Sequence, residues 1–398
     1  ARRDAMSSNL KNGTRTIMIR KDDIITIMLV HLLFVSFPWF PFYQMIKYIL
    51  LFFIGVYVFL KYGFVLKKKN TILNVLVVFY TLWVIFSSYM KLGVVERNTF
   101  AAAIMYGLTL LVSIMYFEIQ FEKNNDYRTL KIIAIFLGAY VAISDILILL
   151  NSGIGTFDDL YFVGNKFLVS YDNLIFICFA WYLIFFKNKK INLIFFEILA
   201  VFSAIISSMT QCSTGVVGSV CLMIMLLGKQ RIKRFIQNPK VIIALFVICF
   251  LFVFWYPFLL ALGPVKWLIV DVLGEDLTLT SRTNIFLNLP RIVKQSPLFG
   301  YGYGSTAEIM RFYTGCTDTQ NGLWEIIVSN GIIGGILYTV ICFYLLYSRN
   351  NIKSENTYPF ICYSIIMIIL SSIEITYGIL FIVMLAISYF VNCKQCRK

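Results

Sequence analysis

The sequence predicts an all-α polytopic membrane protein: a transmembrane helical bundle of about twelve spans with one long extracytoplasmic loop carrying short helices. Three observations predict it. Of 398 residues, 60% are hydrophobic and only 14% are charged, whereas a soluble domain carries about 25% charged residues. The apolar residues fall in blocks of about 20, the length of helix that crosses about 30 Å of hydrocarbon. The blocks are continuous rather than alternating, which excludes a transmembrane barrel and leaves helices as the structure that satisfies every backbone group in lipid.

The blocks run, in order, at 24–42, 45–66, 71–90, 99–120, 130–150, 167–186, 191–209, 213–228, 240–262, 322–347, 358–372 and 374–391. Residues 1–23 and 392–398 form the two tails of a single integral membrane domain. The basic N-terminus precedes an apolar block without a small-residue cleavage site, so that block reads as a retained helix. Two pairs of blocks are broken only by polar residues, around Thr210–Cys212 and around Ser371–Glu374. Each is either a tight helical hairpin or one tilted helix. Tyr, Phe and Trp gather near many block ends, at the depth of the lipid headgroups.

Twelve spans put alternate connections on alternate sides. With the N-terminus inside, the inner segments hold most of the 35 Lys and Arg residues. The outer side keeps Lys47, Lys91, Arg97, Lys166, Lys266, Arg282, Arg291, Lys294 and Arg311. The positive-inside rule therefore puts both termini in the cytoplasm. The same distribution argues against nucleic acid as the partner behind the net charge of +15, because the basic residues sit in short clusters between apolar blocks. Most of the nine cysteines lie inside apolar blocks (Cys178, Cys221, Cys249, Cys342, Cys362), where a thiol packs as a small hydrophobe. Cys393 and Cys396 make one CxxC at the tail, read as two juxtamembrane cysteines. The single histidine, His31, lies inside the first span and reads as a packed residue. No metal site and no cofactor are expected. Asp145 and Asp172 lie in or near spans, where an ionisable group is costly.

One connection is long. Residues 263–320 are placed outside, and a long ordered loop in a compact protein usually carries function. Apolar residues at Ile285, Phe286, Leu289, Ile292 and Val293 have helical spacing with one apolar face, which predicts a short interfacial helix from Thr283 to Lys294. Ser281 or Thr283 is a candidate cap. Arg282 then stands at the helix N-terminus, where N–H groups and dipole favour an anion. Arg291 is nine residues on, and two arginines can grip a phosphate bidentately. The bland reading is that they meet lipid headgroups or pair with Asp276 and Glu308. Gly300-x-Gly302-x-Gly304 lacks a preceding strand and is no dinucleotide fingerprint; these glycines let backbone approach a ligand or a helix closely. Gly331, Gly334 and Gly335 suit tight helix packing in lipid.

Residues 281–338 resemble the signature region of the O-antigen polymerase and ligase family, the Wzy-type polysaccharide repeat-unit polymerases and lipopolysaccharide ligases. The residues that carry the resemblance are Ser281-Arg282, the Pro297-Leu298-Phe299-Gly300-Tyr301-Gly302-Tyr303-Gly304 turn, Thr319-Gln320-Asn321, Trp324-Glu325 and Ser329 to Gly334. Upstream, Gly164-Asn165-Lys166-Phe167 and Ser207 to Gly215 are similar to further family segments. The resemblance implies a metal-independent glycosyltransferase of the bacterial cytoplasmic (inner) membrane. It would join polyprenyl-pyrophosphate-linked oligosaccharide repeat units on the outer face, for capsule or O-antigen. Membrane lipids, and a flippase and chain-length regulator proteins, are the implied partners. The expected catalytic residues are Arg282, Glu308, Asp318 and Glu325. The expected substrate-binding residues are Arg291, Arg311, Lys166, Gln320, Asn321, Gly300, Gly302 and Gly304.

The sequence departs from the ligase pattern at one position. Ligase-type members carry a histidine where this chain has Gln320, which weighs towards a polymerase. The rival readings are a lipid-linked-oligosaccharide flippase or transporter, an O-antigen ligase, a cell-wall glycosyltransferase, and a membrane protein without chemistry. Transporters tend to carry internal repeats, and the long loop here occurs once.

Overall fold

The computed structural model describes residues 20–37, 40–62, 70–150, 161–188, 192–228, 230–260, 262–267, 270–271, 282–347 and 355–395. Each of the twelve apolar blocks contains one helix. These are α1 (Lys21–Leu33), α2 (Tyr43–Tyr62), α3 (Thr71–Tyr89), α4 (Thr99–Glu122), α5 (Asp126–Leu150), α6 (Lys166–Asn188), α7 (Leu193–Met209) and α8 (Ser213–Leu227), then α10 (Pro239–Leu260), α14 (Gly322–Tyr347), α15 (Tyr358–Leu370) and α16 (Ile379–Gln395), with a short basic helix α9 (Gln230–Ile236) before α10. Among the described residues, seven helices are long and apolar enough to cross a membrane, and α7, α8, α15 and α16 are shorter apolar helices. The chain is an all-α polytopic membrane protein. Helix α1 begins at Lys21 and α16 runs to Gln395, so both reach slightly into the segments expected to be tails.

The loop after α10 carries α11 (Gly263–Trp267), α12 (Arg282–Gln295) and α13 (Thr306–Thr314). Residues Glu275, Asp276, Ser281, Asp158, Asp159 and Cys396 lie outside the described residues. In α12 the buried residues are Ile285, Phe286, Leu289, Ile292 and Val293, the five that the spacing singled out. They face α10 and α14, with Phe286 edge-on to Tyr256 at 5.0 Å.

Both ambiguous pairs are hairpins. Between α7 and α8 the chain reverses through Gln211, whose φ of 53° is left-handed, and Cys212 N–H donates to the Ser207 carbonyl at 2.8 Å. The Ser207 hydroxyl donates to Ser170 Oγ at 2.9 Å, tying the hairpin to α6. A Cβ at Gly215 would stand 2.3 Å from that Ser170 oxygen, so only glycine lets α8 pack here. Between α15 and α16 the chain leaves helix at Ser371 and resumes it at Ile379, forming a largely buried turn rather than a continuous span.

Two buried carboxylates inside the bundle are paired or bridged by amides, whereas Asp172 of α6 is fully buried with no hydrogen-bond partner on either oxygen among the described residues. Glu118 of α4 accepts from Asn70 Nδ2 at 2.7 Å and Asn74 Nδ2 at 2.9 Å. Asp23 of α1 pairs with Arg128 of α5. Such pairing is what keeps an ionisable group affordable in hydrocarbon. His31 meets Tyr140 Oη at 3.0 Å through Nε2, a packing partner far from the loop.

Helix α14 is two helices end to end. Gly331 has φ 73° and ψ 178°, a conformation open essentially to glycine alone. The break frees the carbonyls of three buried residues, where unpaired backbone is costly. Each finds a donor: Tyr301 N–H donates to Val328 O at 2.9 Å, Gly302 N–H to Ser329 O at 2.8 Å, and Trp83 Nε1 to Asn330 O at 2.9 Å. In return Ile332 N–H donates to Pro297 O at 2.8 Å. The Pro-Leu-x-Gly-x-Gly-x-Gly turn is therefore a plug in a broken helix.

Candidate active site

The plug fixes where the polar residues of the loop lie. Gly300 (φ 66°) stands where a Cβ would come within 2.5 Å of Gly331 N and Val328 O, and a Cβ at Gly302 (φ 92°) would meet Thr99 at 2.9 Å. These two glycines bring backbone against helices α14 and α4. Gly304 (φ 82°) lies against the Arg97 guanidinium and opens onto a cavity.

That cavity has a volume of about 650 Å³. Its walls come from the starts of α4, α6 and α14, from α3 and α15, and from the α15–α16 turn. Six tyrosines line it: Tyr80, Tyr106, Tyr171, Tyr303, Tyr363 and Tyr377. Tyr106 and Tyr303 stack with ring centroids 4.3 Å apart. Three carboxylic acids, Asp318, Glu325 and Glu374, share the cavity with Arg97. Aromatic faces and carboxylates in one cleft suit a sugar, which offers apolar ring faces and hydroxyl donors.

Four residues expected from the sequence converge here. Arg282, at the start of α12, donates through Nε to Gln320 Oε1 at 3.0 Å. Gln320, in a left-handed conformation (φ 50°), donates through its backbone N–H to Asp318 Oδ1 at 3.1 Å and through its side-chain amide to the same oxygen. Glu325 accepts from the Thr319 hydroxyl at 3.1 Å. A chain of hydrogen bonds thus links Arg282 to a carboxylate in the cavity wall.

Lys166 stands at the start of α6, donating to the Gln211 carbonyl at 3.3 Å. Asn165, which lines the cavity, caps that helix by accepting from Leu168 N–H at 3.0 Å. Asn321 is buried and structural in its contacts. Its Oδ1 accepts from Leu323 and Trp324 N–H at 3.2 and 3.3 Å, and its Nδ2 donates to the Cys249 and Ser372 carbonyls. It caps α14 and ties that helix to α10 and to the α15–α16 turn.

The remaining expected residues lie elsewhere. Glu308 of α13 accepts from the backbone N–H groups of Glu96 and Arg97 at 2.8 and 3.2 Å. It is not in the cavity wall; it holds the α3–α4 turn and so positions Arg97. Arg291 and Arg311 are exposed on α12 and α13, outside the cavity wall.

Two residues of the site escaped the sequence reading, Arg97 and Glu374. Glu374 lies in the α15–α16 turn, 8% exposed. Burial and the neighbouring Asp318 push its carboxyl up to about 7, against the pull of Arg282 and Lys166. Arg282 and Lys166 are therefore electrostatic neighbours of the same acid. Tyr303, half-buried against Tyr106, has its phenol raised well above the usual range by desolvation. Among the described residues no three His, Cys, Asp or Glu side chains are grouped so as to hold a metal ion.

Residues 198–339 match a protein-family model described as O-antigen ligase. The matched stretch runs from within α7 to within α14 and contains the plug, Arg282, Asp318, Gln320 and Glu325. Arg97, Lys166 and Glu374 fall outside it. No curated protein and no solved structure matches the chain. The match bears out the resemblance to O-antigen polymerases and ligases. The match spans residues 198–339 alone and supports, in general terms, a function of the O-antigen ligase or polymerase type.

Proposed function

We propose, from a chain whose residues 198–339 carry the O-antigen ligase match, that the protein is a polysaccharide polymerase. It joins polyprenyl-pyrophosphate-linked repeat units on the outer face of the bacterial cytoplasmic membrane, with both termini cytoplasmic. The observation that carries the reading is the hydrogen-bonded chain Arg282–Gln320–Asp318 at a cavity walled by tyrosines and carboxylates. Gln320 occupies the position where ligase-type members carry histidine, which favours polymerisation over transfer to lipopolysaccharide.

In this reading the bond from the donor's anomeric carbon to the pyrophosphate oxygen breaks. A new bond forms between that carbon and a hydroxyl oxygen of the acceptor unit. The hydroxyl proton passes to a cavity carboxylate, Glu374 or Glu325, and the polyprenyl pyrophosphate leaves. Arg282, Arg97 and Lys166 supply positive charge where the leaving group gains negative charge, the arrangement that lowers such a barrier most. Arginine suits that role because its planar fork fits phosphate oxygens two at a time.

Surface polysaccharide from cells with and without the protein tests the reading. Loss of a polymerase leaves single repeat units where long chains stood. Absence of any surface unit would instead indicate a flippase, and full-length polymer that is no longer attached to lipid A would indicate a ligase. Chain growth by the purified protein is expected to survive chelator. Loss with EDTA that one divalent ion restores would reveal a metal requirement.

A further inference from the structure

The charge in the tyrosine cavity is lopsided. Three acids, Asp318, Glu325 and Glu374, stand in its wall against one cation, Arg97. Asp318 is the electrostatic neighbour of both other acids. The three therefore form one group, where α14 begins and the α15–α16 turn passes. Arg97 reaches the wall from just before α4, with its guanidinium against Gly304. Arg282 and Lys166 act on Glu374 from nearby, but neither lines the cavity.

An ionised carboxyl group only accepts hydrogen bonds. The wall adds a further acceptor: Asn330 Oδ1 is buried with no hydrogen-bond partner among the described residues. Such a wall suits the hydroxyl donors of a sugar. A carboxylate brought beside the three acids meets like charge in a cleft partly screened from water, where repulsion is stronger than in bulk solvent. In the proposed reaction the proton of the attacking hydroxyl passes to Glu374 or Glu325. That puts the acceptor sugar beside the acids and leaves Arg97 to the pyrophosphate. We infer that the cavity selects a non-acidic sugar at the acceptor end of the repeat unit and discriminates against one that carries a carboxylate. This selectivity rests on the reading that the cavity holds the acceptor during polymerisation.

Matched methyl glycosides test it: glucoside against glucuronide, and galactoside against galacturonide. Each is titrated into the full chain in lipid nanodiscs, with binding read by saturation-transfer NMR. The neutral member of at least one pair should bind, and its uronate about tenfold more weakly. Glu374 is the group to vary. Asp318 of the loop, Arg282 of α12, and Lys166 and Tyr171 of α6 act on it or feel it; Glu325 and Arg97 share its cavity. Its carboxyl stands at about 7. Lowering the pH from about 8 to about 6 removes its charge while a uronate stays ionised, so the gap should narrow to about threefold. Glu374→Gln at pH about 8 should narrow it likewise by strengthening uronate binding, a gain that misfolded protein would not show. Uronates that bind as tightly as their neutral partners, neutral glycosides that do not bind, or a gap unmoved by both pH and Glu374→Gln would overturn the inference. Neutral-sugar preference in a protein that forms no polymer would keep the selectivity and remove the polymerase reading. Chain growth from units with a uronate at the acceptor end would do the reverse.

Discussion

Arg282 carries the sharpest prediction at the scale of single residues. Its Nε–H holds Gln320, which in turn holds Asp318 in the cavity wall. Arg282→Ala should slow chain growth severely in protein that still inserts and folds. A charge-assisted hydrogen bond contributes about 1.5–3 kcal/mol, so its loss should slow the reaction by about one to two factors of ten. Arg282→Lys should be poor as well, since an ammonium lacks the planar fork that fits phosphate oxygens two at a time. Normal polymer length from the lysine variant would reduce Arg282 to a headgroup anchor. Glu374 carries the pH dependence. With its carboxyl raised to about 7, it is an effective base only once deprotonated, so the rate should rise with pH through about 7; loss of the rise in Glu374→Gln assigns the base to Glu374, and its persistence there with loss in Glu325→Gln assigns it to Glu325. The sign for stability is opposite. The folded state holds this proton more tightly than the unfolded chain, so its contribution is full below the ordinary carboxylate value and is lost as pH rises through about 7. Melting temperatures of the glutamine variant should lack that decline. Arg282, Asp318, Gln320 and Glu325 were legible because one polar stretch contains them. Arg97 and Glu374 were not, because they reach the site from two other turns that only the packing of α3, α4, α15 and α16 brings near. Asn321 shows the reverse: an asparagine just before an apolar helix is a cap signal, and its capping contacts account for it.

At the scale of elements, periodicity told most of the story. The five apolar positions of α12 are its five buried ones, because a helix lying on a bundle must turn one stripe inward. The break in α14 was hidden, since an unbroken apolar run looks the same whether or not its helix is continuous. The glycines at 331, 334 and 335 suggested close packing, and only Gly331 breaks the helix. A Cβ at Gly331 would stand 1.9 Å from the Leu298 carbonyl oxygen. Gly331→Ala should therefore expel the plug, and little folded protein should be recovered by size-exclusion chromatography in detergent. Gly315 has φ 76° as well but nothing within 4 Å of a Cβ. Gly315→Ala should cost only about 1–2 kcal/mol from its backbone conformation and leave the protein folded. Similar losses from both variants would mean that the plug contributes little. The two hairpins were ambiguous for a plain reason: polar residues at a break fit both a turn and a tilted helix, and tertiary contacts such as Ser207 to Ser170 decide.

For the whole molecule, the placement of basic residues carries the topology. A reporter fused after Gly304 should be extracytoplasmic and one fused after Lys233 cytoplasmic, by the positive-inside rule. Finding the loop of residues 263–320 in the cytoplasm would remove both the topology and the proposed chemistry, because cavity, plug and cations all lie at that end of the bundle. The helices themselves were readable from apolar blocks because lipid leaves a chain few alternatives, although only seven of those described are long and apolar enough to cross a membrane; the cavity was not, because its walls are drawn from six separate stretches of chain. The most direct measurement of the central claim is chain growth by the reconstituted protein alone. Purified protein in vesicles, given a polyprenyl-pyrophosphate-linked repeat unit in the leaflet that the Gly304 end faces, should yield a ladder of lengthening chains and release polyprenyl pyrophosphate in step with each added unit. Transfer of the intact lipid-linked unit across the bilayer, with no chain longer than one repeat, would contradict the account.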